Sequence, residues 1–539
     1  MKKATKRLAA LMMVLCMSAS MAGCGQDQGG GNADSKAGTG TEGSESAGGS
    51  ENTSGSGDTG SEKEFEYFGM LWDPYQQDTP IYEALQEATG IKVNFTWSTQ
   101  DAYSTLLAAR MADKDLPDVI GYGVESSMLQ GMIDEGLIIP LTDLLEEKMP
   151  NYMRNISDED YLYMINERDG EVYAFGMLMD VPGSYSYMVR QDWLDRVNLD
   201  VPETWDEWVE VWTAFKEQDA NGNGDPNDEI PVAWIYSLTY FLENIYGIES
   251  NGTYSVVDGK YVYDPEHPLY GEWLDAMRDL YEKGLISQEY LDIDTAMLDS
   301  LVGSNRVGSS VSYAVLSTDG AKNALEIDEN AYFVCTPPII GPYGDQMIQK
   351  RPKLTLNTYI TKAAVDEGKL DTILEFFDFV FSDEGIMITN YGIEGETYEV
   401  VDGKPSLLEP YSQSFTTARE YGLIPTPIAF CFTQDVYNQI LYLGQSYEEM
   451  DKYSRAASDG LTTLNEPYFY TRPVSISTDA SSEYADLMED QKSLRDQYIM
   501  GMISKDDYNK GYEALKEQGL NEVIAQADAA YQNILSAAD

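Results

Sequence analysis

FEYFGMLW at residues 65–72, TPIYEALQEAT at 79–89, IKVNFTW at 91–97, YSTLLAARMA at 103–112 and PDVIGY at 117–122 decide the fold class. The first, third and fifth stretches are rich in aromatic and β-branched residues. The second and fourth place apolar residues three and four apart, the period of a helix packed on one face. A β-α-β-α-β order in so short a span predicts parallel neighbouring strands and an α/β fold, because a parallel pair needs a crossover between its members. Ligands of such sheets sit outside the carboxyl ends of the strands. Trp72, Asp73, Trp97 and Tyr122 stand at those ends.

Upstream of this stretch the chain is of a different kind. Lys2, Lys3, Lys6 and Arg7 precede an apolar run, Leu8 to Met17, too short to span a bilayer, which is the layout of a secretory signal. Ala22 and Gly23 then lead into Cys24, similar to a bacterial lipobox in which the cysteine is diacylated and becomes the new N-terminus; Met21 stands where Leu is usual. Residues 1–23 are thus expected to be a lipoprotein signal peptide and 24–63 a lipidated cysteine with its tether. From Gly25 to Gly60 no large apolar residue occurs, so nothing there can be buried and the segment reads as a flexible linker. Its typical reach is roughly 30–36 Å. No later stretch is apolar for long enough to cross a membrane, so the membrane is expected to be reached through the lipid alone, with the body on the extracellular face.

Composition removes other functions. Across 539 residues, 92 Asp and Glu oppose 35 Lys and Arg, for a formal charge of −57. Phosphate backbones would repel such a surface, and no nucleic-acid partner is expected. One histidine and four cysteines without a CxxC pair argue against zinc and iron–sulfur centres. No G-x-S-x-G, H-E-x-x-H or P-loop occurs, and His267 lies in DPEHP (264–268), read as a surface turn. A glycoside hydrolase needs only two carboxylates, and with 92 acids that test decides nothing. The chain is read as a binding protein rather than an enzyme. Cys335 and Cys431, which remain after processing, are read as two buried thiols, with a disulfide as the other possibility.

The most chemically specific stretch is DANGNGDPNDE (219–229). Side-chain oxygens at its first, third and fifth positions, glycine at the sixth and acids at the tenth and eleventh suit a hard Ca²⁺ ion. Position twelve is Ile230 rather than Glu, and Pro231 forbids an ordinary exiting helix, so this is no true EF-hand. Asp219, Asn221, Asn223, Asp225, Asp228 and Glu229 are the candidate ligands, with an ion-free acidic turn as the alternative. Between a helix and a strand, the ion's role would be structural. Just upstream, Trp205, Trp208, Trp212 and Phe215 fall on one helical face and are read as core, with Thr204 and Glu207 forming a capping box.

Blocks along the chain carry a resemblance. ATGI (88–91), DLPDV (115–119), EGLIIPLTD (135–143), RQDWLD (190–195), YEKGL (281–285), YGIEG (391–395), GLNE (519–522) and AAY (529–531) occur in the order and spacing of one family. The chain resembles the lipoprotein branch of the family 1 extracellular solute-binding proteins, which serve ABC importers, mostly for sugars. The resemblance implies a periplasmic-binding-protein-like (type II) fold of two α/β lobes joined by hinge strands, closing on a ligand between them. It places residues 64–186 with 356–400 in one lobe and 187–355 with 401–539 in the other. It also implies a monomer that captures a carbohydrate, an oligosaccharide above all, and delivers it to ABC transporter permease subunits. A glycan sensor or adhesin would share the same fold. Calcium-bearing members of the family have a loop like 219–229, one residue shorter.

Within this frame a sugar's C–H face packs on a flat ring while its hydroxyls need a few placed polar groups. Trp72, Tyr122, Trp234 and Tyr313 are therefore the candidate stacking residues, with core packing as the alternative for each. Tyr313 ends a stretch (306–312) similar to the strand that carries a sugar-facing aromatic in many family members. Asp73 and Arg190 are the candidate polar ligand contacts. The Arg190 fork could instead be spent in a buried salt bridge near the hinge. Replacing Cys24 with Ala is expected to release the protein from the membrane fraction into the medium, as immunoblots of both fractions would show; a processed variant still in the membrane would refute anchoring through Cys24.

Overall fold

The computed structural model describes residues 63–71, 79–180, 185–225, 227–313, 319–350, 353–412, 415–424, 431–433, 435–436, 439 and 466–538. Its strands are β1 (Lys63–Leu71), β2 (Ile91–Thr99), β3 (Val119–Ile120), β4 (Ala174–Asp180), β5 (Tyr185–Arg190), β6 (Ile230–Trp234), β7 (Tyr254–Val257) and β8 (Lys260–Tyr263). They continue with β9 (Val307–Tyr313), β10 (Phe333–Thr336), β11 (Ile348–Lys350), β12 (Leu354–Ile360), β13 (Tyr398–Val401), β14 (Lys404–Leu407), β15 (Cys431–Thr433) and β16 (Phe469–Thr471). Ten of them build two sheets, in the orders β15-β4-β12-β3-β1-β2 and β10-β5-β9-β6. Each sheet has its own apolar core, which gives the two-lobe α/β fold.

In the first lobe the opening stretch folds as its pattern predicts. β1 lies parallel to both β2 and β3, with Tyr67 opposite Phe95 and Val119. The crossover helix Pro80–Thr89 starts where Thr79 Oγ1 accepts from the Tyr82 amide (3.3 Å) and Pro80 fills the first turn, and it stops at Gly90 in the left-handed region. Alternate strand residues feed opposite faces: Phe65, Tyr67 and Val119 enter one core, Phe68, Met70 and Ile120 the other. Asp118 of the DLPDV block fastens β3 in place. It accepts from the Glu66 amide (2.7 Å) and forms an ion pair with Lys369 (2.8 Å).

The second lobe packs its tryptophans against the smaller sheet. In the helix Trp205–Glu217 the expected capping box is present, and Trp208, Trp212 and Phe215 are buried, with Trp205 half-buried beside them. Trp212 Nε1 donates to Ser309 Oγ (2.7 Å), which donates to the Pro231 carbonyl (2.8 Å), so the helix is bonded to β9 and β9 to β6. The approach is close enough to require glycine at 308: a Cβ there would lie 2.5 Å from the Phe215 ring and 2.7 Å from Trp193.

The chain crosses between the sheets from β4 to β5, returns through β11 into β12, and crosses again near β16, which pairs with β11. The expected boundary at 401 divides the chain differently from the strands. Cys431–Thr433 joins the first sheet as its edge strand beside β4, and Val474 and Ile534 enter the first core. The last helix, Asn521–Ala538, sends Ile534 into the first core and packs Val523 and Ala527 in a cluster with Tyr254 of β7 and Tyr261 and Tyr263 of β8. Cys335 stands on β10 and Cys431 on β15, in different sheets; both are thiols, Cys431 buried as expected and Cys335 only half-buried. Among the described residues no helix is long and apolar enough to cross a membrane.

Arg190 corrects one expectation. It is 0% exposed, and its Nε and Nη2 hold both oxygens of Asp192 (2.7 Å each), while Nη1 donates to Asn305 Oδ1 (2.6 Å). Trp193 and Phe333 sandwich the guanidinium at 5.2 and 5.6 Å. Each guanidinium nitrogen has a partner inside the lobe and the side chain has no exposed surface to offer a ligand. Asp192 also holds Arg196 (2.9 Å), whose other nitrogen pairs with Asp328, so two carboxylates balance two cations. Asp192→Asn should destabilise the second lobe by about 3–5 kcal/mol, because it strands a buried guanidinium. Urea unfolding would measure it, and a loss under 1 kcal/mol would show that the pair does not hold this lobe.

Candidate functional site

A cavity of about 450 Å³ opens beyond the carboxyl end of β3. Tyr122, Gly123, Val124 and Glu125 form one wall, and Thr355, Asn357 and Tyr359 of β12 form another. Leu162, Tyr163 and Ile165 close a third side, and Arg472, Val474 and Ser475, just after β16, bring the crossing segment into the lining. The space therefore lies where the first sheet meets chain on its way between lobes, as expected for an open α/β sheet.

Local chemistry explains the wall that follows β3. The Gly121 amide donates to the Phe68 carbonyl (2.8 Å), continuing the pairing, and Tyr103 Oη donates to the Gly121 carbonyl (2.9 Å). Tyr103 stacks on Phe68 with centroids 5.2 Å apart. Gly123 has φ +113°, and a Cβ would meet the Tyr103 ring at 3.1 Å; only glycine turns the chain there. The result sets the half-buried Tyr122 at the cavity, with Glu125 beyond it held by Ser104 Oγ (2.8 Å).

Across the space, Tyr163 Oη donates to the Arg472 carbonyl, and burial pushes the Tyr163 phenol well above its usual range. Arg472 Nη2 donates to the Asn251 carbonyl (3.2 Å), which ties this wall to the second lobe. The lining thus offers aromatic faces, hydroxyl and amide groups, one carboxylate and one guanidinium.

Of the residues singled out in the sequence, Tyr122 lines this cavity. Trp72 and Asp73 lie outside the described residues. Tyr313 is the last residue of β9, with its backbone opposite Tyr185. Trp234 is corrected: it is 0% exposed, with Nε1 donating to Thr239 Oγ1 (3.1 Å) and its ring against Tyr290. It does end a strand, but the 3-10 turn Tyr236–Leu242 folds back over it. Trp97 likewise stacks on Phe95 at 5.1 Å and packs against the first core. Sequence reasoning missed Tyr163, Asn357 and Arg472. The only available signal was the aromatic run before Arg472 in PYFYTRP (467–473).

The acidic loop lies between the Trp205–Glu217 helix and β6, as expected. Asp219 Oδ2 accepts from the Gly224 amide (2.9 Å), Asn221 Oδ1 from the Asn223 amide (3.0 Å) and Asn223 Oδ1 from the Asp225 amide (2.7 Å). Asp228 receives one amide N–H each from Asn221 and Asn223 (2.9 Å both). Among the described residues no three His, Cys, Asp or Glu side chains converge as a metal site. Yet Asp219 Oδ1 and both oxygens of the 3%-exposed Glu229 are buried without any hydrogen-bond partner. Burial, with Asp228 and Asp219 nearby, pushes the Glu229 carboxyl above its usual range. Buried carboxylate oxygens left bare fit a cation, which would also draw on Asn side chains and backbone carbonyls.

Comparison with known proteins decides the family. Residues 73–387, more than half of the chain, match the bacterial extracellular solute-binding protein family. The protein is a member of that family. Lipoprotein LipO of Bacillus subtilis is 24% identical over 493 residues, covering 88% of this chain and 93% of LipO. The fructooligosaccharide ABC transporter substrate-binding protein FusA of Streptococcus pneumoniae is 29% identical over 287 residues, 50% of this chain and 51% of FusA. Among solved structures, the alginate-binding protein AlgQ2 without calcium ion superposes with a TM-score of 0.66 at 21% identity, covering 88% of this chain and 99% of that one. FusA in complex with kestose gives 0.63 at 20%, covering 88% and 100%. These extracellular solute-binding proteins share the two-lobe fold found here.

Proposed function

We propose that this extracellular solute-binding protein captures a carbohydrate, an oligosaccharide above all, in the cavity beyond β3 and delivers it unchanged to ABC transporter permease subunits. Cys24 would hold it to the outer face of the cell membrane by lipid, with the Gly/Ser-rich tether giving it reach. One observation carries the reading: the cavity is built jointly by the carboxyl end of the first sheet and by the crossing segment at Arg472–Ser475, so a ligand there touches the first lobe and the chain that Arg472 bonds to the second. A ligand with more contacts in the closed arrangement shifts the protein toward it. FusA, which binds fructooligosaccharides by name, supports the carbohydrate class, and the aromatic and hydroxyl lining is what a neutral sugar needs. Trp72, Asp73 and Tyr313 remain proposed ligand contacts beside Tyr122.

A glycan array with the secreted Cys24→Ala protein should return oligosaccharides, and calorimetry on the best of them should give a single site. Tyr122→Ala should then weaken binding by about 1–3 kcal/mol. Unchanged affinity would move the site elsewhere. Chromatography of the glycan after long incubation should recover it intact, and shorter sugars released in proportion to protein would make the protein a hydrolase.

Calcium in the 219–229 loop belongs to the same proposal, with Asp219, Asn221, Asn223, Asp225, Asp228 and Glu229 as its ligands and a structural role between helix and β6. The bare oxygens of Glu229 support it. So does the description of an EF-hand mutant among the FusA structures, which superposes with a TM-score of 0.62 at 20% identity over 88% of this chain and 100% of that one. Chelation should lower the melting temperature, millimolar calcium should restore it at the ~10⁻⁴–10⁻³ M affinity of extracellular modules, and Glu229→Gln should abolish both responses. Identical melting with and without chelator would leave the loop ion-free.

A further inference from the structure

Beneath the crossing segment, the second lobe buries two carboxylates that nothing above explains. Glu243, between the 3-10 turns Tyr236–Leu242 and Asn244–Tyr246, is 4% exposed, and Asp264, just after β8, is 3% exposed. Glu243 Oε2 and Asp264 Oδ1 have no hydrogen-bond partner. Ser250 caps one of the two acids: its Oγ donates to Asp264 Oδ2 and accepts from the Gly252 amide (2.8 Å). A serine hydroxyl has one proton to give. Given to Asp264, it is not available to Glu243.

The surroundings do not supply the missing charge. Tyr254 on β7, Tyr261 and Tyr263 on β8, Tyr270 at the start of the helix Tyr270–Glu282 and Tyr470 on β16 face the pair, and burial pushes every one of these phenols up, so they stay neutral. Among the described residues the cation acting on Glu243 is Arg495 on the helix Ala485–Ile499, whose Nε already donates to Asp496 Oδ1 (2.9 Å), and Arg472 is engaged by the Asn251 carbonyl (3.2 Å). Two ionised acids would therefore leave uncompensated negative charge inside the lobe. Burial raises the Asp264 carboxyl to about 7, and burial together with Asp264 raises Glu243 well above its usual range.

Ser250 matters beyond the pair. Its carbonyl accepts from Tyr470 Oη (2.9 Å) and Gln349 Nε2 (3.0 Å), fixing β16 and β11. Next to it, the Asn251 carbonyl accepts from Arg472 and Asn251 Nδ2 donates to the Val474 carbonyl (3.0 Å). The Ser250–Asn251 corner thus fastens the segment that lines the cavity.

We propose that the buried carboxyls Glu243 and Asp264 are kept from ionising together by a bound proton, and that this proton keeps the Ser250–Asn251 corner, and with it the cavity-lining segment 470–475, in place. The clamp is tight in mild acid. Above neutrality the proton leaves, two charges face one hydroxyl, and the corner loosens. Because both carboxyls titrate above their unfolded values, the stability they contribute is complete below about pH 4.5 and is lost as pH rises through about 7 and beyond.

The test compares melting of the wild type and Glu243→Gln, both as the secreted full chain, at pH 5.5 and pH 8. The amide stands in for the protonated acid, so the variant should melt about 2–4 °C above wild type at pH 8 and no higher than it at pH 5.5. Glu83→Gln, at an exposed acid, should run parallel to wild type and account for the general charge of the chain. Hydrogen exchange of peptides spanning 466–476, corrected for intrinsic rates, should lose protection at pH 8 in wild type and keep it in Glu243→Gln. Parallel melting of wild type and Glu243→Gln overturns the proposal, as does a variant unable to fold at either pH. A wild-type melting temperature at pH 8 that rises with added NaCl or CaCl₂ only when Glu243 is present would overturn it too, by showing a cation in place of the proton.

Discussion

Parallel pairing of β1 with β2 and β3 is the constraint from which the site follows. Three strands running the same way send their carboxyl ends to one edge, and their amino ends are reached only by helices that cross the faces. Those helices bury the faces and leave the edge to loops. A hairpin cannot close that edge, so the loop after β3 stays open to solvent and carries Tyr122 and Glu125 into the cavity. β12 then enters antiparallel between β3 and β4, with a bulge between Thr355 and Thr358. It arrives from β11, which is bonded to the second lobe, so the strand that completes the first sheet also delivers the second lobe to its edge. Sheet, crossing and cavity are consequences of one topology.

That dependence sets what could be read in advance. The strands and helices of 65–122 were legible because a buried strand and an amphipathic helix each repeat on a local period. The Trp205–Phe215 stripe was legible for the same reason, and its capping box fixed where the helix starts. The lining was not, because it is assembled from residues near 122, 163, 357 and 472, and no local period links them. Trp234 shows how a sound rule misleads: it does end a strand, yet whether a strand end meets solvent depends on the next turn, and the chain from Tyr236 folds back over it. Arg190 shows the reverse case. Its alternative reading as a buried pair was the correct one, since Asp192 two residues on is within reach of the same fork.

A chain with 92 acidic residues must also decide what to do with the few it buries. A lone ionised carboxylate inside a protein is too costly to persist, so each buried one needs a partner. Asp118 takes a lysine and a backbone amide, Asp192 takes two arginines, and Asp496 takes Arg495 with the hydroxyls of Tyr236 and Tyr290. With only 35 Lys and Arg on the whole chain, cations are scarce and these pairs use them inside the lobes. Among the described residues Glu229, Glu243 and Asp264 are what remains, the buried acids with bare oxygens and no ion pair. Acids left without a basic side chain can be neutralised only by what the solvent supplies. For Glu229, in a turn that also offers Asn oxygens and opens to solvent, the suitable species is a hard cation. Asp264 has the Ser250 hydroxyl and the pair has neutral tyrosines around it, and the occupant proposed for that space is a proton. The same shortage of basic residues thus leads to the two proposed solutions, and both would make the second lobe respond to the surrounding medium.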